Sequence, residues 1–476
     1  MRMLLRSAAA VVLALGCGGC FLVGPDYVAP SAHDLGVPAA YTFAARVTRG
    51  EGDGGDVATW WQHLGDPTLT ELVAAAVRAS LDVESARATL LEARARRRLA
   101  AANLWPSVGV SASAQRTKGG SGDVGSGSQN LYEAGFDASW EPDVVGGQRR
   151  ALEGAEADQE GSLEKLRAAQ VSVAAEVARN YVDLRSYQGR VAIAQANLKS
   201  QSSTLELTQW RVEAGLASSL DAEQARTNVE QTKAAIPPLE RATAEAENRL
   251  AVLTGVAPGA LHDRLAEAAP IPHVPEPLTI GIPADVLRQR PDVVAAERTL
   301  AAETARVGEA MAARYPSLTL SGSLGVQALT LGALTSGASV AASAVGSIAQ
   351  TIFDAGRIGA KIKTRGAVRE QALVAYRSAV LAALEDVENA LVAITMSHAR
   401  AQALGDAAGS ARNAALLARY RYTAGIIDFV TLLDAERTVL SIEENLNAAQ
   451  ADDTAAVIRL YKALGGGWSA GGDGVI

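Results

Sequence analysis

The sequence predicts a mainly α chain with a transmembrane β-barrel portion: four strands and long coiled-coil helical hairpins per chain, completed as a trimer into a twelve-stranded barrel plus an α-helical barrel. Three observations predict it. First, the two halves match at a fixed offset of 210 residues: Asp82 with Asp292, Pro106 with Pro316, Ser111 with Ser321, Gly146 with Gly356, Arg211 with Arg421, Gly215 with Gly425 and Gly255 with Gly465. A register held that far without a slip is one supersecondary unit built twice. Second, proline-free segments carry apolar residues every seven positions, the spacing of helices that need coiled-coil partners. Third, each copy contains a stretch where the period falls to two, with apolar residues alternating with small hydroxylated ones, as in a strand between lipid and a wet lumen.

The elements follow in order. Arg2 and Arg6, an apolar stretch from Ala8 to Leu15 and then Gly-Cys-Gly-Gly-Cys read as a short export signal, too brief to span a bilayer. The chain's two cysteines, Cys17 and Cys20, both sit at its end, which excludes a disulfide framework and points to a lipidation site at Cys20, with Cys17 as the alternative. Without the two leader arginines, 42 of the 44 basic residues stand against 52 acidic ones, with no basic block, which argues against nucleic acid. The 4 % aromatic content and abundant alanine suit closely packed helices. After the leader no apolar run is long enough for a membrane helix, so any crossing must be by strands.

Residues 24 to 58 read as an extended lead-in. Structure is expected from Trp60-Trp61, and Asp66-Pro67 opens a helix running to about Asn103, with Thr68 and Glu71 at capping-box spacing. From Trp105-Pro106, Val108, Val110, Ala112 and Ala114 alternate with Ser107, Gly109, Ser111 and Ser113. Leu318, Leu320, Leu324 and Val326 repeat the pattern. A Gly/Ser loop, 117 to 130, leads to a return strand, Leu131 to Trp140, with Tyr132, Phe136 and Trp140 on one face as an interfacial belt; its partner is placed by offset at about Ser343 to Phe353.

From Arg149 to Ala214 the heptad positions are Val177, Leu184, Val191, Leu198, Leu205 and Val212, answered by Leu373, Val380, Val387 and Ile394. Unbroken, this rod would be roughly 100 Å long, and Gly154, Gly161 and Gly189 mark places for bends. Gly215 and Gly425 occupy the left-handed stop position, and Ser218 and Asp428 can cap the returning helices, giving two tight αα-hairpins. The first return helix contains Pro237-Pro238, which predicts a kink.

The chain therefore divides into a signal (1–19), a lipid anchor and lead-in (20–59), a first copy (60–255), a Pro-rich linker (256–283), a second copy (284–465) and a flexible tail (466–476). Four strands cannot close a barrel, and an open edge in lipid would leave backbone groups unpaired at several kcal/mol each. Three chains supply twelve strands, an even number in the range of outer-membrane barrels. Catalysis is not expected. His33, His63, His262, His273 and His398 are scattered without metal-ligand spacing, and Ser162 with Lys165 is an isolated S-x-x-K inside the rod. A periplasmic coiled-coil scaffold lipoprotein remains the alternative architecture.

Several segments carry a resemblance: CFLVGPDYVAP, WWQHLGDPTLTELV, WEPDVVGGQRR, RPDVVAAE running on to YPSL, IFDAGRIGAKI and RYTAGIIDFVTLLDAERTVL. The chain resembles the TolC-like outer-membrane efflux family, in its lipoprotein branch serving resistance-nodulation-division pumps. The resemblance implies a passive homotrimeric duct through the outer membrane and periplasm, working with a periplasmic adaptor and an inner-membrane transporter, or alternatively an exit duct for type I protein secretion. No cofactor is implied beyond covalent lipid, diacylglycerol and N-acyl, on Cys20. Matched residue by residue, it places Gly215, Leu216, Ser218, Gly425 and Ile426 at adaptor-binding tips and Asp434 in a pore-facing carboxylate ring. Asp221 and Tyr422 match a pair that holds an iris-like gate shut. Thr431 stands where a second ring carboxylate can occur and Ile427 where a gate-holding arginine can, which implies a closed state with fewer polar links.

Overall fold

The computed structural model describes residues 22–43, 48–49, 57–118, 128–272, 279–280, 289–335 and 339–468. Cys17 and Cys20, with the rest of the leader, lie outside the described residues. The contacts divide the chain into two units. One comprises Met1–Pro30, Thr89–Leu163 and Ala295–Arg377; the other comprises Ser31–Ala88, Glu164–Val294 and Ser378–Ile476.

The duplication is visible in the elements themselves. Helices α1 (Pro67–Ala79) and α2 (Leu81–Ala102) precede strands β1 (Ser107–Lys118) and β2 (Ser128–Trp140), then α3 (Gly147–Glu213) and α4 (Ser219–Leu253). The second copy repeats α5 (Pro291–Ala312), β3 (Ser317–Ala328), β4 (Val340–Ala349), α6 (Arg357–Thr423) and α7 (Phe429–Ala463). The bounds of α2 and α5, β1 and β3, α3 and α6, and α4 and α7 differ by the same 210 residues read from the sequence. Among the described residues no helix is long and apolar enough to cross a membrane.

The first unit holds one antiparallel sheet in the order β1-β2-β3-β4. Its register sorts the side chains cleanly. Gly109, Asp137, Ser323 and Ser343 stand side by side on one face, and Ser107, Ser139, Ser321 and Val345 on the next rung of that face. Val110, Phe136, Leu324 and Ala342 share the other face. Val110, Phe136 and Leu324 are all exposed in the single chain. The last strand begins earlier than its offset suggested and stops at Ala349, leaving Ile352 and Phe353 outside the sheet and exposed. Beside the sheet, Gly154 and Gly161 lie inside α3, which continues past both, and face α5: a Cβ on Gly154 would sit 3.5 Å from the Ala302 carbonyl and one on Gly161 would sit 3.4 Å from Arg298 Cβ, ordinary contact distances that an alanine would also meet.

The lead-in is packed. Buried Arg150 donates to the carbonyls of Val23 (3.0 Å) and Gly24 (3.2 Å) and pairs with Asp26 and Glu153, while Tyr27 bonds Glu297 at 2.9 Å. In the second unit Trp60, fully buried, stacks on Tyr461 with ring centroids 5.3 Å apart. Tyr41 joins the core formed by Val387, Leu391, Val457 and Leu460. At the start of the tail Arg167 lies 4.2 Å over the Trp468 ring, and residues 469–476, the rest of the tail expected to be flexible, lie outside the described residues.

Other expectations needed correction in this unit. The helix opened by Asp66 ends at Ala79 because Ser80 is extended (ψ 135°), and α2 starts anew. Asp66 does cap it, accepting from Leu69 N–H at 3.0 Å, but Glu71 pairs with Arg264 rather than completing a capping box. Helix α4 holds Pro237-Pro238 in its interior and does not end there, which leaves the expected kink as it stood. Gly189, unlike the other two interior glycines, marks a close approach; a Cβ there would collide with the Asn447 amide.

Candidate functional site

The two hairpin tips lie in the second unit and are stereochemical twins. In the first, Gly215 takes φ +72°, and Leu216 N–H closes back on the Arg211 carbonyl at 2.7 Å; in the second, Gly425 takes φ +73°, and Ile426 N–H reaches the Arg421 carbonyl at 2.9 Å. This is the glycine stop in which a six-to-one bond satisfies a helix's last carbonyls. It turns one bulky apolar side chain outward at each tip, Leu216 at 70 % exposure and Ile426 at 72 %.

The caps differ in chemistry. Ser218 and Asp221 form a reciprocal box: Asp221 N–H donates to Ser218 Oγ at 3.2 Å, and Ser218 N–H donates to Asp221 Oδ2 at 3.0 Å. At the second tip Asp428 Oδ1 accepts from Thr431 N–H at 2.9 Å and from Thr431 Oγ1 at 2.5 Å. These bonds hold the Asp428 carboxyl below the usual carboxylate range, the Thr431 hydroxyl contributing most. Thr431, which the resemblance set where a ring carboxylate can stand, thus completes a cap.

Tyr422 is buried among Ala225, Ala418, Phe429, Leu432 and Leu433, and its ring meets Phe429 edge-on at 5.8 Å. Ile427 packs against this same cluster. Asp221 and Tyr422 are not hydrogen-bonded to each other in the chain. Asp221 serves its own cap, and Tyr422 Oη lies 3.3 Å from Thr208 Oγ1. Asp434 stands exposed on α7, its backbone carbonyl accepting from Thr438 Oγ1.

What joins the two hairpins is a set of residues that sequence reasoning missed. Arg211 on α3 donates to the Tyr422 carbonyl on α6 and lays its guanidinium 4.5 Å from the centre of the Tyr422 ring. Thr204 on α3 donates to Glu436 on α7 at 2.6 Å. Higher in the same seam Asn197 donates to Glu443, which also receives Arg412, and Ser186 bonds Asn447 at 2.9 Å. Arg437 on α7 donates to Asn228 on α4 at 3.0 Å. The heptad residues Leu198, Leu205 and Val212 are only partly buried, whereas polar Asn197, Gln201, Thr204 and Thr208 are buried. Within the chain these side chains supply polar links between the hairpins at positions other than Ile427. The signal was available, because the copies differ at these positions: Ala407, Ala411, Ala414 and Ala418 stand 210 residues on.

Among the described residues no cluster of His, Cys, Asp and Glu could hold a metal ion. What the arrangement offers is a mechanical joint: two hairpins with matched ends, held together by side-chain links from α3 to α6 and α7 and from α7 to α4.

Comparison with known proteins fits such a joint. Residues 72–256 and 282–466 each match the family described as outer membrane efflux protein, so that one family pattern covers both copies at the 210-residue offset. The chain is 30 % identical over 469 residues, 96 % of each chain, to the toluene efflux pump outer membrane protein TtgF of Pseudomonas putida. Among solved structures it is similar to the outer-membrane channel OprN, with 36 % identity and a TM-score of 0.88 over 94 % of this chain and 99 % of that one. It is also similar to the open state of the MtrE outer membrane channel of Neisseria gonorrhoeae, with 28 % identity and a TM-score of 0.85 over 94 % and 99 % of the two chains.

Proposed function

The chain belongs to the outer membrane efflux protein family, channels that serve tripartite efflux systems from the outer membrane into the periplasm, and from that premise we propose a passive homotrimeric duct for small molecules, gated by an iris of its hairpin tips. The observation that carries the proposal is the sheet: one face apolar, the other lined by Ser, Gly and Asp, with no strand paired on the outer edges of β1 and β4 among the described residues. Bare edges in hydrocarbon cost several kcal/mol per unpaired group, and further copies of the chain remove that cost by closing the ring.

The remaining parts of the reading rest on the family. Leu216 and Ile426, with Gly215, Ser218 and Gly425 shaping the turns, would meet a periplasmic adaptor, which in turn couples to an inner-membrane transporter. Asp434 would contribute one carboxylate in three to a ring at the narrow end. Cys20 would carry the lipid, and the docking of Val23, Gly24 and Asp26 onto Arg150 supports an anchor by fixing the residues that follow it. An open state is on record for MtrE, which supports a gate that moves.

The test is electrical. The detergent-purified protein, reconstituted in planar bilayers, is expected to pass a small cation-favouring current, and Asp434→Ala is expected to lower cation over anion selectivity about twofold or more. An unchanged reversal potential removes Asp434 from the pore. A monomer that stays in water without detergent once its anchor is cut overturns the duct itself.

A further inference from the structure

The seam between α3 and α7 buries a carboxyl group, Glu436, whose counterpart in the first copy is the exposed Arg226. Glu436 is 7 % exposed, and its acceptor bond comes from Thr204, itself 2 % exposed. One turn from Thr204 on the same helix, Gln201 is 2 % exposed, and both its amide atoms are without a hydrogen-bond partner among the described residues. Leaving a buried amide unsatisfied costs about 1–3 kcal/mol, so this layer of the seam is held closed against a standing cost. Helix α6 presents Ala411 and Ala414 in place of Gln201 and Thr204. The polar layer therefore belongs to one hairpin interface rather than to the fold as such.

We propose that Glu436 is a proton-set latch for the gate: neutral Glu436 keeps the α3–α7 seam shut, and ionised Glu436 favours parting of the hairpins. The proposal rests on the duct reading above, because it assigns the regulation of that gate. The groups facing Glu436 are few. From α3 comes the uncharged Thr204; from α6 comes the Arg419 charge; the neighbouring link to α4 runs through Arg437 to the uncharged Asn228. Burial pushes the Glu436 carboxyl up, and the Thr204 bond and Arg419 offset that only in part. The sign follows from linkage. A carboxyl whose value is raised in the closed state stabilises that state fully below its ordinary range, and the contribution is lost as pH rises through the raised value. Acid should shut the seam; ionisation should loosen it by drawing the carboxylate toward water.

The experiment uses the full-length trimer in detergent. Thr208→Cys places a thiol at a fully buried seam position, and Ser203→Cys places one at an exposed position on the same helix as a reference for thiol reactivity. The ratio of their labelling rates with a water-soluble maleimide, after subtraction of the parent's own labelling, is expected to rise about fivefold from pH 5 to pH 8. Adding E436Q, which keeps the shape and removes the charge, should hold the ratio low and flat, and E240Q, at an exposed site on α4 outside the seam, should leave the slope in place. A flat ratio with Glu436 intact, or the same slope in E436Q, overturns the latch. Bilayer currents on the same preparations separate this failure from the other: current with a flat ratio keeps the duct and removes the latch, whereas a titrating ratio in a protein that never conducts keeps the latch and removes the duct.

Discussion

The two copies of the repeat share one backbone and bury different side chains. The tips match in φ to within a degree, in their closing bonds and in the exposure of Leu216 and Ile426. Away from the tips the copies part. Asn197, Gln201, Thr204 and Thr208 face inward on α3 where α6 has four alanines, and Arg290, buried at the start of α5, answers to Ser80 at the start of α2. Geometry that any copy needs has been kept in both; the links that join the copies take unlike residues from each, Thr204 and Asn197 from the first and Glu436 and Glu443 from the second. A symmetric backbone can thus carry an asymmetric hinge.

The sharpest way to test that division is at Arg290 and Ser80. Arg290 binds Asp292 at 2.7 Å, Asp386 at 3.1 Å and the Ala463 carbonyl at 3.1 Å, tying the start of α5 to α6 and α7. Removing one partner of a buried pair costs about 3–5 kcal/mol; because the Asp292 and Asp386 side chains are 50 % and 57 % exposed, the expected loss for Arg290→Ala is nearer ~2–3 kcal/mol. Ser80→Ala should cost below about 1 kcal/mol. Urea unfolding of the detergent-solubilised protein reads both, and equal losses would mean that the copies share the load. Acid should shrink the difference. Burial raises the Asp292 carboxyl, but the Arg290 bond and charge outweigh it and leave the group lowered, so its contribution is present above the ordinary carboxylate range and lost as pH falls through the lowered value.

A second comparison sets Arg211 against Arg421. Only the first bridges hairpins, through the Tyr422 carbonyl and ring. Arg211→Ala should raise open probability in bilayers by about tenfold, the equivalent of ~1.4 kcal/mol taken from the closed state. Arg421→Ala, at an exposed site, should change it less than about twofold. Arg211→Lys should fall between, since an ammonium keeps the charge but not the planar fork. If Arg421→Ala opens the channel as much as Arg211→Ala, the asymmetry of the joint is wrong.

Most of the backbone was legible because its determinants are local. Gly215 and Gly425, the caps at Asp66, Ser218 and Asp428, and the two-residue period of β1 and β3 each act within a turn or a pleat, and each appears where the residues put it. The candidate site was legible only in part, since heptad logic assigns the interior to apolar residues. Here the helices are rotated so that Thr204 and Asn197 are buried and their neighbours Leu205 and Leu198 are only partly buried. A rotation of that kind depends on what the facing helix offers, Glu436 and Glu443 in this case, and no window on one helix contains it. The role of Gly189 was hidden in the same way: the side chain it makes room for, Asn447, is remote in sequence.

The finest comparison is between the two caps, which place their carboxylate differently: at the third helical position in the first, at the N-cap itself in the second. At the first tip the Asp221 amide is held by the Ser218 hydroxyl, neutral at every pH; at the second the Thr431 amide is held by the Asp428 carboxylate. The Asp428 carboxyl is lowered by the Thr431 hydroxyl and amide that it accepts from. A lowered group gives its stabilisation above the ordinary carboxylate range and loses it as pH falls through the lowered value, so acid should fray the second tip first. Hydrogen exchange gives the readout: relative to intrinsic rates, protection at the Thr431 amide should decline below the ordinary carboxylate range while protection at the Asp221 amide holds. Asp428→Asn, which retains an acceptor and cannot ionise, should make the two tips respond alike. Acid fraying at this cap opposes the closing effect assigned to Glu436, and the two are separable because they act in different windows, Asp428 below the ordinary range and Glu436 above it. Equal loss of protection at both caps would show that the tips differ in sequence but not in response.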